Sequence, residues 1–478
     1  VGLKKYFSPA ANFRFGVHFL AEACSMKKII LCLLLLNSLL AVGCGSNNGK
    51  LDPNNPVTLT IWHVYGSQTK SPLNDMIAKF NAGVGRERGV LIKVISVSNS
   101  AAIDKVLMAS AAAEPGSVPL PDLFTAYPRI MNKLDNNLLL PWENYLSQED
   151  LAVYREDFLK EGYYNQHLYM LPIAKSTELL FVNQTFMERF LAAYNISPQQ
   201  LTDYDTLFAL CPQYYAWSGG RQMFQINDFY HYFLTGMASL GDSFIKDGKP
   251  DLTGENFWRI YKPLAQAAIA GGLCVEKGYA SDRWKTGEVI CNVGSTAGIL
   301  YLRDYVTYPD NSQEQIATTF LPTPRFKEGS DKHILLQRGT GLFAVRSKQE
   351  RKNQAAAVFA KWIAQKDNNL EFVTLAGYLP VNKAAMQQLM REPGLVSNKK
   401  YRQLYTVLQQ VESGGAYLPL PLYANAAATQ AKLESSMKQI LANAHQRYTH
   451  GLSNGAASQP LLERLTRESL GQLQEAMN

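Results

Sequence analysis

Val57-Thr58-Leu59-Thr60-Ile61 alternates apolar with hydroxyl side chains and is rich in β-branched residues, the pattern of a strand with one buried face. Leu73, Met76, Ile77 and Phe80 then recur at helical spacing. Val90 to Val97 reads as a second strand, Ile103 to Ala113 as a helix with one small-residue face, and Pro121 to Tyr127 as a third strand. Strands alternating with helices predict parallel pairing through right-handed crossovers. Ligands of such sheets sit beyond the carboxyl ends of the strands, which here are Trp62 to Ser67 and Tyr127 to Arg129.

A second α/β region follows. Leu168 to Asn183 is long and mostly apolar, as a strand passing between two lobes would be. Helical patterns recur at Phe257 to Ala270, Ala355 to Gln365 and Ala426 to Ala444, with no internal repeat or low-complexity run.

A different pattern precedes all of this. Met26-Lys27-Lys28 is positive, Ile29 to Leu40 is apolar apart from Asn37 and Ser38, and Leu40-Ala41-Val42-Gly43-Cys44 ends it with small residues before a cysteine. A positive start, a short apolar core and a small-residue end make a secretory leader. The core is too short to cross about 30 Å of hydrocarbon. Because it ends on cysteine, it resembles a bacterial lipoprotein signal, which implies that the Cys44 thiol takes a diacylglyceryl group and Cys44 becomes the first mature residue. Ordinary secretory cleavage nearby is the alternative. Residues 1–43 are therefore read as an overlong start plus this signal, and 44–56, rich in Gly, Ser, Asn and Pro, as a flexible tether. The 435 residues after the leader exceed one ordinary core and predict two lobes.

Composition narrows the function classes. With 46% hydrophobic and 18% charged residues the chain is that of a folded protein. The leader region's five Lys/Arg and one Glu account for most of the net charge of +7, leaving about +3, which gives nucleic-acid binding no support. Cys211, Cys274 and Cys291 follow Cys44 without metal-ligand spacing. An exported chain permits one disulfide among these three, the pair left open, or three buried thiols. No metal and no cofactor are expected.

Short motifs, in order, carry a resemblance. Ile61-Trp62-His63 ends the first strand and Pro121-Asp122-Leu123 opens the third. Leu171-Pro172 leads to Ser176-Thr177-Glu178-Leu179-Leu180-Phe181-Val182-Asn183, and Trp284-Lys285-Thr286-Gly287-Glu288 to Gly294-Ser295-Thr296-Ala297-Gly298. Gln337-Arg338-Gly339-Thr340-Gly341-Leu342-Phe343 and Gly377-Tyr378-Leu379-Pro380-Val381-Asn382-Lys383 follow. Together they resemble the extracytoplasmic solute-binding proteins of ABC importers, family 1, the branch that includes the maltose- and glycerol-3-phosphate-binding proteins. The resemblance implies an α/β, two-lobed periplasmic-binding-protein fold of type II, its lobes joined by hinge strands around a ligand cleft. It divides the chain into residues 57–173 and 318–367 for lobe 1 and 174–317 and 368–478 for lobe 2. It also implies a monomer outside the cytoplasm, held to the cell membrane only by its lipid and on the periplasmic side where the host has two membranes. Such a protein closes on a small solute and delivers it to the transmembrane subunits of an ABC permease.

Candidate ligand contacts follow from position and side-chain type. Trp62 and Tyr65 lie at a strand end, where aromatic faces can stack on the C–H faces of sugars; the competing use of Trp62 is to cap a core, and His63 reads as a structural histidine. Ser176, Thr177 and Glu178 fall on the hinge crossing. Alternation puts Ser176 and Glu178 on one face and Thr177 on the other, so one set faces the cleft. Ser295 and Thr296 precede an apolar helical run and serve as N-cap, ligand contact or both. Gly339 and Thr340 would let a ligand approach the backbone, and Tyr378 carries over from the resemblance. Phe229, Tyr230 and Tyr232 read as core more than as a platform.

Tyr423 stands in the stretch where the glycerol-3-phosphate group has a phosphate-holding arginine; Pro421-Leu422-Tyr423-Ala424-Asn425 contains none. Phosphate wants a charge-assisted, preferably bidentate partner. This departure, with Thr296-Ala297-Gly298 in place of that group's Ser-Gly-Ser, favours an uncharged sugar or oligosaccharide over a phosphodiester, although Arg338 or Lys175 remains available to an anion. No enzyme activity is expected. An exported glycan hydrolase is the reading from another class, but no motif selects a carboxylate pair, and H-E-x-x-H and P-loop patterns are absent. A ferric-ion site at Tyr163-Tyr164 or Tyr214-Tyr215, and a lipoprotein of this fold that senses ligand for a signalling partner, are further alternatives.

Overall fold

The first three strands pair as their alternation requires. In the computed structural model, which describes residues 49–65, 71–96, 100–198 and 201–478, Val57–His63 runs parallel to Val90–Ser96 along its whole length and to Leu123–Ala126 near its carboxyl end. Asp122 locks the arrangement. Its Oδ2 accepts the Thr60 N–H at 2.8 Å and the Thr60 hydroxyl at 3.0 Å, while Oδ1 takes Lys352 at 2.7 Å. The helix Pro72–Phe80 starts at Ser71, whose hydroxyl accepts the Asn74 N–H, and it turns Leu73, Met76, Ile77 and Phe80 into the core. Gly341–Ala344, antiparallel to both its neighbours, and Leu171–Pro172 complete a five-stranded sheet.

A second five-stranded sheet runs in the order Leu273–Cys274, Gln222–Ile226, Val289–Ser295, Glu178–Asn183, Thr318–Leu321. Its first three strands are parallel, and Glu178–Asn183 is antiparallel to both neighbours. Every residue of Glu178–Asn183 is buried, as expected of a strand covered on both faces. The helices Tyr204–Trp217, Phe229–Ser239 and Gly254–Ala270 contribute to this core, and the long final pair Ala426–Ser453 and Ser458–Met477 packs on Gly254–Ala270.

The chain crosses between the sheets three times, and the crossings lie side by side. The Lys175 N–H donates to the Leu379 carbonyl at 3.1 Å. On the other edge, Ser176 and Arg338 each donate to the other's carbonyl, at 2.9 and 2.8 Å. Two expected switch points move. Thr318–Leu321, assigned from sequence to lobe 1, pairs with Glu178–Asn183 in the second sheet, so the return crossing is at Arg338 rather than near Ala317. Phe372 and Val373, expected beyond a switch near Lys366, pack in the first core with Tyr65 and Trp362, so the last crossing is at Leu379. An apolar strand or helix reads the same in sequence whichever of two cores it enters.

Cys211, Cys274 and Cys291 are free, buried thiols. Among the described residues no helix is long and apolar enough to cross a membrane. Cys44 and the leader lie outside the described residues, as do 66–70 of the loop after the first strand.

Candidate functional site

His63 shapes the carboxyl end of the first strand. Its Nε2–H donates to Asn74 Oδ1 at 2.7 Å, which leaves Nδ1 to accept the Tyr65 N–H at 3.2 Å. Burial holds the ring below its ordinary pKa, against the Asn74 bond, so this is the structural histidine expected. The turn sends Tyr65 inward. Its ring stands edge-on to Phe372 at 5.3 Å and Tyr378 at 5.2 Å, and its hydroxyl donates to the Thr340 carbonyl at 2.7 Å. Trp62 enters a separate core with Ile103, Leu107, Phe124 and Phe343. Neither ring faces solvent here: Trp62 is 3% exposed and Tyr65 1%. Trp62 thus takes the core-capping place, and Tyr65 supports Tyr378 from beneath.

Other tyrosines are the accessible ones. Tyr127 follows the third strand and is half-buried, as is Tyr378, while Tyr301 is 43% exposed at the end of the short 3-10 helix Thr296–Tyr301. The Tyr378 phenol, pushed well above its ordinary pKa by burial, lies within electrostatic reach of Tyr65, Tyr127, Tyr301 and Arg338.

Ser176 and Glu178 share the face of the crossing that meets this cluster. The Ser295 hydroxyl donates to Ser176 Oγ at 3.1 Å and accepts the Ala297 N–H at 3.3 Å, so one side chain is both cap and crossing contact. Glu178 Oε1 accepts from Arg338 Nη1 at 2.7 Å and lies 3.2 Å from His231 Nδ1. Burial pushes the Glu178 carboxyl up, but the His231 bond and the Arg338 charge outweigh it and hold the group below the usual range. Arg338 is lowered by burial and raised, on balance, by Glu178, Tyr127 and Asp228. Asp228 ends the approach from the strand Gln222–Ile226. It accepts the His231 N–H at 3.1 Å as helix cap and the Gln430 amide at 2.6 Å. Behind it, burial and the Asp228 charge push the Glu434 carboxyl up to about 8.

Two glycines allow the close approach. Gly339 has φ +115°, and a Cβ there would lie 2.9 Å from the Ala174 carbonyl; Gly377 has φ +73°, and a Cβ would lie 2.4 Å from Ile299 Cγ2. Thr296 and Thr340 are buried with hydroxyls that find no partner among the described residues. Thr177 is also buried, its hydroxyl without a partner among the described residues, and alternation turns it to the opposite face, where Lys175 pairs with Glu161. That face borders a hollow of about 920 Å³ lined by Arg155, Asp157, Glu161, Gln337 and Tyr417. Tyr423 is bonded elsewhere, its hydroxyl 3.1 Å from that of Tyr230. Phe229, Tyr230 and Tyr232 are buried, as core residues should be.

The structure therefore gathers Ser176, Glu178, Ser295, Thr296, Gly339, Thr340 and Tyr378 around the crossings, and sets Trp62 and Tyr423 apart by their contacts. Sequence reasoning did not select Tyr127, Tyr301, Asp228 or His231. Tyr127 and Asp228 had a signal, at a strand end and before an apolar helical run; Tyr301 and His231 had none. Among the described residues no group of three or more His, Cys, Asp or Glu is placed to hold a metal ion.

Comparison with known proteins bears on this arrangement. A family model for bacterial extracellular solute-binding proteins matches residues 75–400, more than half of the chain. A search of curated proteins gives no match. Among solved structures, an ABC substrate-binding protein of Listeria monocytogenes in complex with cycloalternan superposes with a TM-score of 0.62 at 11% identity, covering 88% of this chain and 99% of that one. UgpB of Mycobacterium tuberculosis in complex with glycerophosphocholine gives 0.61 at 17% identity, with coverage of 88% and 99%. The cyclic α-maltosyl-1,6-maltose binding protein of Arthrobacter globiformis gives 0.59 at 15%, covering 88% and 100%. At these identities the likeness is one of fold, the two-lobed arrangement with a cleft between the lobes.

Proposed function

The chain belongs to the bacterial extracellular solute-binding proteins, and on that premise we propose that it captures a neutral carbohydrate between its lobes and delivers it to the transmembrane subunits of an ABC permease. Charge balance carries the ligand class. Arg129, whose guanidinium lies 4.7 Å from the Tyr127 ring, is matched by Asp104 at 2.9 Å, and Arg338 by Glu178 at 2.7 Å. What surrounds the second pair is aromatic and hydroxylic: Tyr127, Tyr301, Tyr378, Ser176 and Ser295. Tyrosine rings stack on sugar C–H faces, and phenol and serine hydroxyls exchange hydrogen bonds with sugar oxygens. The Arthrobacter globiformis neighbour, named for a cyclic sugar, supports this reading. The Mycobacterium tuberculosis neighbour supports a second, a phosphodiester, which the paired Arg338 and the arginine-free Pro421 to Asn425 count against.

Delivery works by closure. A solute that touches both lobes only when they meet favours the closed state by that difference in affinity, and the three crossings, antiparallel where they bond, are the hinge. The protein acts as a monomer and does no chemistry on its solute. Lipid on Cys44 and the tether to residue 56 hold it at the membrane. Mass spectrometry of protein from its native host is expected to show a diacylglyceryl N-terminus at Cys44; a free N-terminus at another residue would contradict the anchor.

Thermal shift against neutral oligosaccharides, polyols and phosphodiesters tests the ligand class. A ligand at about 100 times its Kd adds about 2.7 kcal/mol. A neutral sugar is expected to stabilise, with an affinity indifferent to salt because no ion pair is screened. Stabilisation by anions alone, fading steeply with salt, would overturn the assignment.

A further inference from the structure

We propose that Glu178 sets the charge selectivity of the cleft: it withholds the Arg338 guanidinium from anions, and once its charge is removed the same site takes a phosphate-type anion. This rests on the cleft being the binding site, as read above.

Arg338 is built like an anion receptor that has been occupied from within. Its backbone is paired to Ser176 by hydrogen bonds at 2.8 and 2.9 Å, which sets the guanidinium in register with the start of the Glu178 strand. Its side chain is 19% exposed against 8% for Glu178, so the arginine, not the glutamate, reaches the opening beside Tyr127 and Tyr378. A guanidinium has five N–H donors in a planar fork suited to phosphate. Glu178 engages Nη1 at 2.7 Å and the Tyr127 hydroxyl takes a further N–H, which leaves donors for a ligand while the carboxylate cancels the charge that would attract an anion. A phosphate seated on Arg338 would also lie beside the Glu178 carboxylate and be repelled by it.

The titratable groups around this pair each have partners. Asp228 takes the His231 N–H at 3.1 Å and Gln430 at 2.6 Å. His231 Nδ1 lies between Glu178 at 3.2 Å and Asp228 Oδ2 at 3.4 Å. Glu434 accepts the Tyr230 N–H at 3.0 Å and faces Lys438 at 3.6 Å. Neutralising Glu178 therefore removes the carboxylate hydrogen-bonded to the guanidinium and leaves the Asp228 charge, which also acts on Arg338, in place. Specificity here comes from a repulsive element built beside an attractive one.

The test is Glu178→Gln, which keeps shape and hydrogen-bonding capacity and removes the charge. Calorimetric titration with inorganic phosphate and with glycerol 3-phosphate is expected to show binding roughly tenfold or more tighter than to the unmodified protein, weakening with salt. Glu178→Gln combined with Arg338→Met is expected to abolish the gain. Glu178→Asp, which retracts the carboxylate by one methylene, is expected to give a smaller gain in the same direction and serves if the first variant does not fold. No gain in a variant with an intact cooperative melt, or a gain that survives loss of Arg338, overturns the proposal. The unmodified protein titrated with neutral oligosaccharides reports on the carbohydrate reading separately. Failure there, with a phosphate gain in Glu178→Gln, would remove the sugar and leave the selectivity role standing.

Discussion

The two faces of the crossing strands follow different rules. On the back face, beside the 920 Å³ hollow, charges are closed upon one another. Lys175, wholly buried, pairs with Glu161. Arg155 bonds Asp157 at 2.7 Å and also Glu412, its guanidinium lies 4.7 Å from the Phe158 ring and 5.0 Å from that of Tyr417, and the Tyr417 hydroxyl donates to Glu412 at 2.6 Å. On the cleft face, Tyr127, Tyr301 and Tyr378 are accessible and the Arg338–Glu178 pair stands among them, and two hydroxyls, those of Thr296 and Thr340, have no partner among the described residues, against that of Thr177 on the back face. Polar groups satisfied within the protein hold a fold together; polar groups left open at a strand end are where a ligand completes the set. Changes on the back face should therefore cost stability, and changes on the cleft face should cost affinity.

Lys175→Met is the strongest way to break this contrast. It leaves the part-buried Glu161 without its cation, and a loss of about 1–3 kcal/mol in denaturant unfolding is expected. Adding Glu161→Gln should recover part of it. A loss below about 1 kcal/mol, the range of an exposed pair, would mean that the back face is not held by matched charges.

Next is a pH trend from the cleft side. Glu434 has a folded pKa of about 8 against an ordinary 4.5, so the folded state binds its proton more tightly than the unfolded state. Its contribution is fully present below pH 4.5 and is lost as the pH rises to about 8, with a slope of at most about 1.4 kcal/mol per pH unit. Glu434→Gln should flatten the stability profile across that window. An unchanged profile would show that the Asp228–Glu434 pair does not hold this proton.

Tyr301→Ala sharpens the contrast from the other direction. The ring is 43% exposed, so the melt should move little, while affinity for a neutral sugar falls by about 1–2 kcal/mol as stacking area and a polar tip go together. Smaller still is Tyr65→Phe. It removes the donor to the Thr340 carbonyl and should lower stability by about 1 kcal/mol, which denaturant midpoints resolve. A larger effect on sugar affinity than on stability would place Tyr65 in the ligand wall after all.

Local chemistry was readable from the sequence, and long-range partnership was not. The alternation of Val57 to Ile61 and the helical spacing of Leu73 to Phe80 set their elements because backbone geometry imposes those periods. Ser295 was legible as a cap because a hydroxyl before an apolar helical run serves unpaired N–H groups. The Glu178–Arg338 pair joins residues 160 positions apart, and nothing local announces it. Trp62 was misleading because a strand-end tryptophan looks the same whether its face is the core or the cleft. Thr318 to Leu321 went to the wrong sheet for a similar reason: apolar residues record burial, not which core buries them. Tyr301 gave no signal, since its place depends on how closely Gly377 lets the helix Thr296–Tyr301 approach the crossing.

Hydrogen exchange with and without a neutral oligosaccharide selected by thermal shift reads both faces at once. The amides of Ser295 to Tyr301, Arg338 to Gly341 and Tyr378 should gain protection on binding, while those of Arg155 to Glu161 and Tyr417 to Leu422 should gain none. Protection confined to the back face would place the solute in the hollow beside Arg155 and contradict a cleft-bound ligand.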